Sequence, residues 1–293
     1  MIFAEHLKKY DPVVKKSVND FFMKAEKNQY AENDILLVYI HGFMDKEHQQ
    51  SLIKKKISEY VFGPAHEGHC ADRFYEFFDL YRRGYIKKDY FDNELKEKKS
   101  LVELKERISI DMELLIYLKF WESDLILRQL FNLTNLAQGK RYEWDFDPSK
   151  FWKRRELIRR EIQEPIKNIS PDFYNLIEDT YSAQIRNAIA HSKYFFLGRN
   201  LQLANKKDSP HYVLYNVPFD DWTIRFHKVI LLYNHMIGNF NRINKKHARK
   251  AADKHNGLAI EVPKKNKYGL NQLQWIKYDK KFKRWYYESP KAT

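Results

Sequence analysis

Glycine and proline, the residues that most often interrupt helices, occur only nine times each among 293 residues. Proline removes a backbone donor and glycine loses the most conformational entropy on ordering, so stretches that lack both are free to wind. The breaks that matter fall at Gly63-Pro64, Gly84, Asp147-Pro148, Ser170-Pro171 and Ser209-Pro210. Between them, Leu114, Leu115, Leu118, Trp121, Leu125, Ile126, Leu130 and Leu133 recur at helical steps and mark a buried face. The expected fold is therefore mainly α, helical through about residue 190. A long helix is expected over 125–138, and another over 172–189, with Ser170 placed to cap it and Pro171 at its first position. Beyond that, 193–204 and 211–217 read as a strand pair, and 220–244 as a closing helix.

No internal repeat or low-complexity linker divides the chain, and its 43% hydrophobic residues suffice for a real core. The expected divisions are an N-terminal helical extension over 1–95, a helical core over 96–250, and a basic, aromatic-rich β extension over 251–293. No apolar run approaches the roughly 18 residues of a membrane span. The first twelve residues lack the apolar stretch and cleavage site of a signal peptide. Cys70 is the single cysteine, which excludes an internal disulfide. The expected setting is the reducing cytoplasm, with no membrane contact.

The net charge of +14 is unevenly placed. Residues 245–293 hold 14 Lys and Arg against 4 Asp and Glu, ten of the fourteen net charges. Tyr268, Trp275, Tyr278, Phe282, Trp285, Tyr286 and Tyr287 are interleaved with them, and 272–278 followed by 282–288 reads as a hairpin turned at Asp279-Lys280-Lys281. Cations that track phosphates and flat rings that stack on unpaired bases suit single-stranded RNA. Lys280, Lys281, Lys283, Arg284 and Trp285 are the candidate RNA-binding residues. The alternative is that the aromatics pack on the core while the lysines solvate an edge strand.

Arg186-Asn187-Ala188-Ile189-Ala190-His191 sets a permanent cation beside a titratable imidazole in an apolar, helix-favouring context. Arg followed by His after four to six residues is expected about twice by chance in a chain of this composition. It occurs at Arg186 to His191, Arg242 to His247 and Arg249 to His255. The latter two lie in a lysine-dense stretch that reads as a solvated helix end. Around the first, the two long helical runs, the strand pair and the closing helix follow in an order that resembles the HEPN superfamily. Its ribonucleases carry an Arg-x4-6-His motif, often with a polar residue directly after the Arg, as Asn187 is here.

The resemblance implies a HEPN-type helical bundle with an inserted β-hairpin, acting as a metal-independent endoribonuclease. His191 would take the proton of the RNA 2'-hydroxyl or, from the second subunit, protonate the leaving 5'-oxygen, and Arg186 would stabilise the phosphorane. Asn187 would orient the phosphate or the imidazole. An acid from the earlier helix would complete the site, and within Trp121-Glu122-Ser123-Asp124 the candidate is Glu122, ahead of Asp124. On a straight helix Arg186 and His191 project about 140° apart. The resemblance resolves this through a homodimer whose two motifs face one cleft. It also implies a toxin or antiviral effector, with an antitoxin or nucleotidyltransferase partner, and a modifiable tyrosine to which Tyr194 lies one residue too far. The alternative is an inactive HEPN module that binds RNA or a nucleotide and supports a partner.

Three other patterns carry less. Val38 to Phe43 echoes an α/β-hydrolase oxyanion loop, yet the chain has no Gly-x-Ser-x-Gly. His66, His69 and Cys70, near Glu67 and Asp72, do not make a four-ligand set, so no metal or cofactor is expected. Arg154, Arg155, Arg159 and Arg160 either extend an RNA path or only solvate a helix.

Overall fold

The computed structural model describes residues 1–40, 83–144, 146–151, 153–205, 213–252, 258–265, 271–279 and 284–288. It is mainly helical. Helix α1 (Ala4–Asn28), α2 (Asp34–Ile40), α3 (Lys88–Glu97), α4 (Lys99–Glu122) and α5 (Asp124–Ala137) precede a distorted helix α6 over 154–166. Then come α7 (Pro171–Thr180), α8 (Ala183–Ala190), β1 (Tyr194–Leu197), β2 (Asn200–Leu203), β3 (Asn216–Pro218) and α9 (Phe219–Ala252). Strands β4 (Leu258–Lys265), β5 (Asn271–Asp279) and β6 (Arg284–Glu288) follow. The middle of α6, Leu157–Gln163, is wound as a π-helix, just before Pro165 withholds a backbone donor.

Helix α9, 34 residues or about 51 Å long, is the spine of the bundle. Its apolar stripe of Trp222, Phe226, Val229, Tyr233, Met236 and Phe240 is buried against α1 and α4. Ring pairs fix the packing: Phe22 meets Phe240 edge-on at 5.1 Å, Tyr117 meets Trp222 at 5.3 Å, and Phe21 stacks on Phe173 at 4.1 Å. Helices α1 and α2 bury Val14, Val18, Phe21, Phe22 and Ile35 to Val38 in this same core, so the described part of 1–95 has no separate main core. Leu114, Trp121, Ile126, Leu130 and Leu133 are buried as expected, whereas Leu115 is exposed. Leu115 falls on the solvent side of α4, in line with Leu104, Ile108 and Met112.

Two expected elements differ. The run expected over 172–189 breaks at Tyr181, whose backbone is extended, and Ser182 starts α8 by accepting from the Ile185 N–H. Thr180 favours the stop by turning its hydroxyl back onto the Leu176 carbonyl. The stretch 193–204 is a complete hairpin, β1 paired antiparallel with β2, and β3 adds a third strand beside β2. Gly198 opens its two-residue turn at φ +57°, where a side chain would strain the backbone. At the C-terminal end, β5 pairs antiparallel with β6 as expected, and β4 adds a third strand.

His227 lies in the core beneath the chain start, accepting the Phe3 N–H at Nε2 (2.8 Å) and donating from Nδ1 to the Thr223 carbonyl. Both ring nitrogens are thus used by the neutral form. Burial pushes its pKa from 6.5 down to about 3. A depressed folded-state value gives stability that is complete above pH 6.5 and lost as pH falls towards 3. Each pH unit in that window corresponds to about 1.4 kcal/mol. Urea unfolding at pH 5 should therefore show a loss of about 2 kcal/mol relative to pH 7. The loss should shrink in a His227→Gln variant, and an equal loss in the variant would refute this source.

Candidate active site

Helix α8 is short and held at both ends. At its start the Ser182 N–H donates to the hydroxyl of Tyr117 on α4 (2.8 Å), a phenol whose burial raises its pKa to about 12. Gln184 is buried, donates to the Leu214 carbonyl (2.7 Å) and accepts the Leu214 N–H (3.0 Å), which clamps the segment before β3 onto α8. Ile185, Ala188 and Ile189 enter the core and leave Arg186 and Asn187 at its border.

Arg186 donates from Nε to Glu122 and from Nη1 to the side-chain oxygen of Asn187. Glu122 ends α4, one residue before Ser123 caps α5, so the joint between the two helices fixes the carboxylate. Its second oxygen lies 3.7 Å from Nε of Arg154, whose Nη2 donates to Asp124 (2.5 Å). Glu122 therefore stands between two guanidinium groups. Arg154 and Arg186 are only 15% and 17% exposed, against 68% for Arg160. The buried Nη1 of Arg154 has no hydrogen-bond partner among the described residues. The sequence marks Arg154 only as one of four clustered arginines, because its two carboxylates are about thirty residues distant along the chain.

His191 is the C-cap of α8 and is exposed. Among the described residues its imidazole has no hydrogen-bond or ion-pair partner. Its backbone N–H donates to the Asn187 carbonyl (3.2 Å). Past it, Ser192 takes φ +51°, its N–H bonds to Ile189 (3.2 Å), and the Lys193 N–H bonds to Ala188 (2.7 Å). These two bonds form a Schellman ending with serine where glycine is usual. The 140° separation of a regular helix, about five residues' rotation, does not extend to a cap residue at φ −112° and ψ +14°. A side chain in the left-handed region costs about 1 kcal/mol. Ser192→Gly should accordingly raise the unfolding free energy by about 0.5–1 kcal/mol in urea titrations, and a decrease would show that the serine side chain holds the turn.

The other expected positions resolve differently. Tyr194 donates its hydroxyl to Asp111 (3.1 Å), and its pKa is raised by burial and by that carboxylate. Arg242 pairs with Glu26 (3.0 Å), while His247 is buried, its Nδ1 on the Ile243 carbonyl and its pKa lowered by burial. That pair is structural. Lys280, Lys281 and Lys283 lie outside the described residues, and so do His41, His66, His69, Cys70 and His255. Arg284 is in β6 opposite Asp279. The sequence makes Trp285 a candidate for stacking on a base. It is instead buried, edge-on to Tyr278 at 5.1 Å and donating to Asn244 of α9 (2.7 Å), so it anchors the sheet to the bundle.

Among the described residues no cluster of three or more His, Cys, Asp or Glu could hold a metal ion, and no helix is long and apolar enough to cross a membrane. Comparison with protein-family models, curated proteins and solved structures finds no match to this chain.

Proposed function

We propose that this protein is a HEPN-type endoribonuclease that cleaves RNA through the substrate's own 2'-hydroxyl, without a metal. The observation that carries this reading is the grouping on one short helix of an exposed imidazole, His191, and a guanidinium, Arg186, oriented by Glu122 and Asn187. In a phosphodiester site, His191 removes the 2'-hydroxyl proton as the 2'-oxygen attacks phosphorus. The P–O5' bond breaks, and the 5'-oxygen leaves with a proton from water or an acid. The products are a 2',3'-cyclic phosphate and a 5'-hydroxyl. Arg186 stabilises the charge that builds on the phosphorane oxygens, and because Glu122 holds its Nε and Asn187 its Nη1, Nη2 is the group left to meet phosphate. Arg154, on the other side of Glu122, adds a second permanent cation beside Arg186.

The reading places the protein among growth-arresting toxins or antiviral effectors, with RNA as substrate. Its direct test uses a fluorescent RNA oligonucleotide and the same strand with a 2'-deoxy substitution at the cut. Cleavage should persist in EDTA, leave a 2',3'-cyclic end, and cease on the deoxy strand. Cutting of the deoxy strand, or abolition by EDTA, would overturn the mechanism.

A further inference from the structure

Helix α4 is apolar on two opposite faces. Val102, Ile110, Leu114, Tyr117 and Trp121 enter the core, while Leu101, Leu104, Ile108, Met112 and Leu115 form a second line on the far side. These five remain between 49% and 58% exposed. Scattered exposed apolar residues are ordinary, but five large ones in register along one helix form a continuous strip. Leu115, which sequence periodicity assigns to the core, belongs to this strip.

Its spacing carries the argument. The strip sits at Ile108, four residues either side at Leu104 and Met112, and seven either side at Leu101 and Leu115. It is symmetric about Ile108. A two-fold axis reverses one copy of a helix on the other, so a line that reads alike from both ends pairs with itself at every position: Leu101 against Leu115, Leu104 against Met112, and Ile108 against Ile108. Charge selects the same direction: parallel pairing would set Lys119, which lies in line with the strip, beside its own copy, and antiparallel pairing separates the two. The strip offers roughly 450 Å² per copy, so about 900 Å² in a pair before flanking residues are counted, close to the roughly 1,000 Å² that a specific interface requires.

We infer that the outer face of α4 is a homodimer interface, in which two copies pair antiparallel about a two-fold axis through Ile108. Glu122 lies fourteen residues beyond that axis, so the two Glu122 ends stand about 42 Å apart along the paired helices. Each copy keeps its own Arg186 cluster, unlike the shared cleft that the HEPN resemblance implies. The interface does not depend on the nuclease reading.

Sedimentation and cysteine cross-linking on the full chain test it. The wild-type protein should sediment as a dimer at micromolar concentration. Ile108→Glu places two carboxylates together on the axis and should raise the dimer dissociation constant by about a hundredfold or more. Because Ile108 is exposed, its far-UV circular dichroism should match wild type, which shows that the variant is folded. In a Cys70→Ser background, Ile108→Cys should form a disulfide-linked dimer on mild oxidation. Leu101→Cys alone should not, since its copies stand about 21 Å apart, whereas Leu101→Cys with Leu115→Cys should. A wild-type monomer at these concentrations, an undisturbed Ile108→Glu dimer, or efficient self-linking of Leu101→Cys would each overturn the proposal.

Discussion

Replacing His191 with alanine lowers the single-turnover rate of RNA cleavage by about 10² to 10⁴, the usual contribution of a positioned general base. RNA affinity stays close to that of the wild type. The two readouts separate because of where the residue sits: the imidazole is exposed and unpartnered among the described residues, so its loss frees no buried charge and breaks no contact of α8. The turn around it is made by backbone bonds from Ser192 and Lys193, which alanine at 191 leaves intact. Arg186→Lys gives the complementary result. Lysine keeps the charge but loses the planar fork that reaches Glu122 with one edge and Asn187 with another, so the rate falls although the net charge is unchanged. Stopped-time cleavage assays and fluorescence anisotropy on the same oligonucleotide measure both quantities. If His191→Ala weakens binding as much as it slows cleavage, the cluster is a binding site and the inactive-module reading takes its place.

Local chemistry made part of this site legible. Ser123 is a capping residue ahead of an apolar run, and the helix expected over 125–138 is Asp124–Ala137, with the Ser123 hydroxyl on the Ile126 N–H. Ser170-Pro171 likewise marks the start of α7 at Pro171. The stop at Tyr181 was not legible, because the Ser182 N–H finds its partner in Tyr117, sixty-five residues earlier in the chain. Arg154 shows the same limit. Its neighbours in sequence, Arg159 and Arg160, pair locally with Glu164 and Glu156 and look no different from it until the fold brings Glu122 and Asp124 to its guanidinium. Trp285 fails for another reason: an aromatic residue in a strand has the same sequence signature whether its ring is buried or offered to a ligand.

Arg199→Ala destabilises the protein by about 3 kcal/mol. Arg199 lies in the turn of the β1–β2 hairpin and donates from Nε and Nη2 to both oxygens of Glu106, each at 2.8 Å, and from Nη2 to Asp220 at 3.2 Å. The Glu106 side chain is 3% exposed on the core side of α4, so removing the guanidinium strands a largely buried carboxylate without its charge partner. Breaking such a pair costs about 3–5 kcal/mol, and the lower end applies because Arg199 itself keeps 26% of its surface in water. The pair's geometry accounts for the raised pKa of Arg199, whose first cause is the Glu106 hydrogen bond. Replacing both partners with apolar residues, Glu106→Leu and Arg199→Met, removes the stranded charge and should recover most of the loss. Urea unfolding of the single and double variants decides this: a single-variant loss below about 1 kcal/mol would mean that the pair behaves as an exposed one. The same experiment bears on the site, because β1 begins three residues after His191 and the bridge holds its hairpin against α4. A loosened hairpin frees the segment beyond the Schellman turn, so Arg199→Ala should also broaden the orientations of His191 and slow cleavage at temperatures where the bundle itself is still folded.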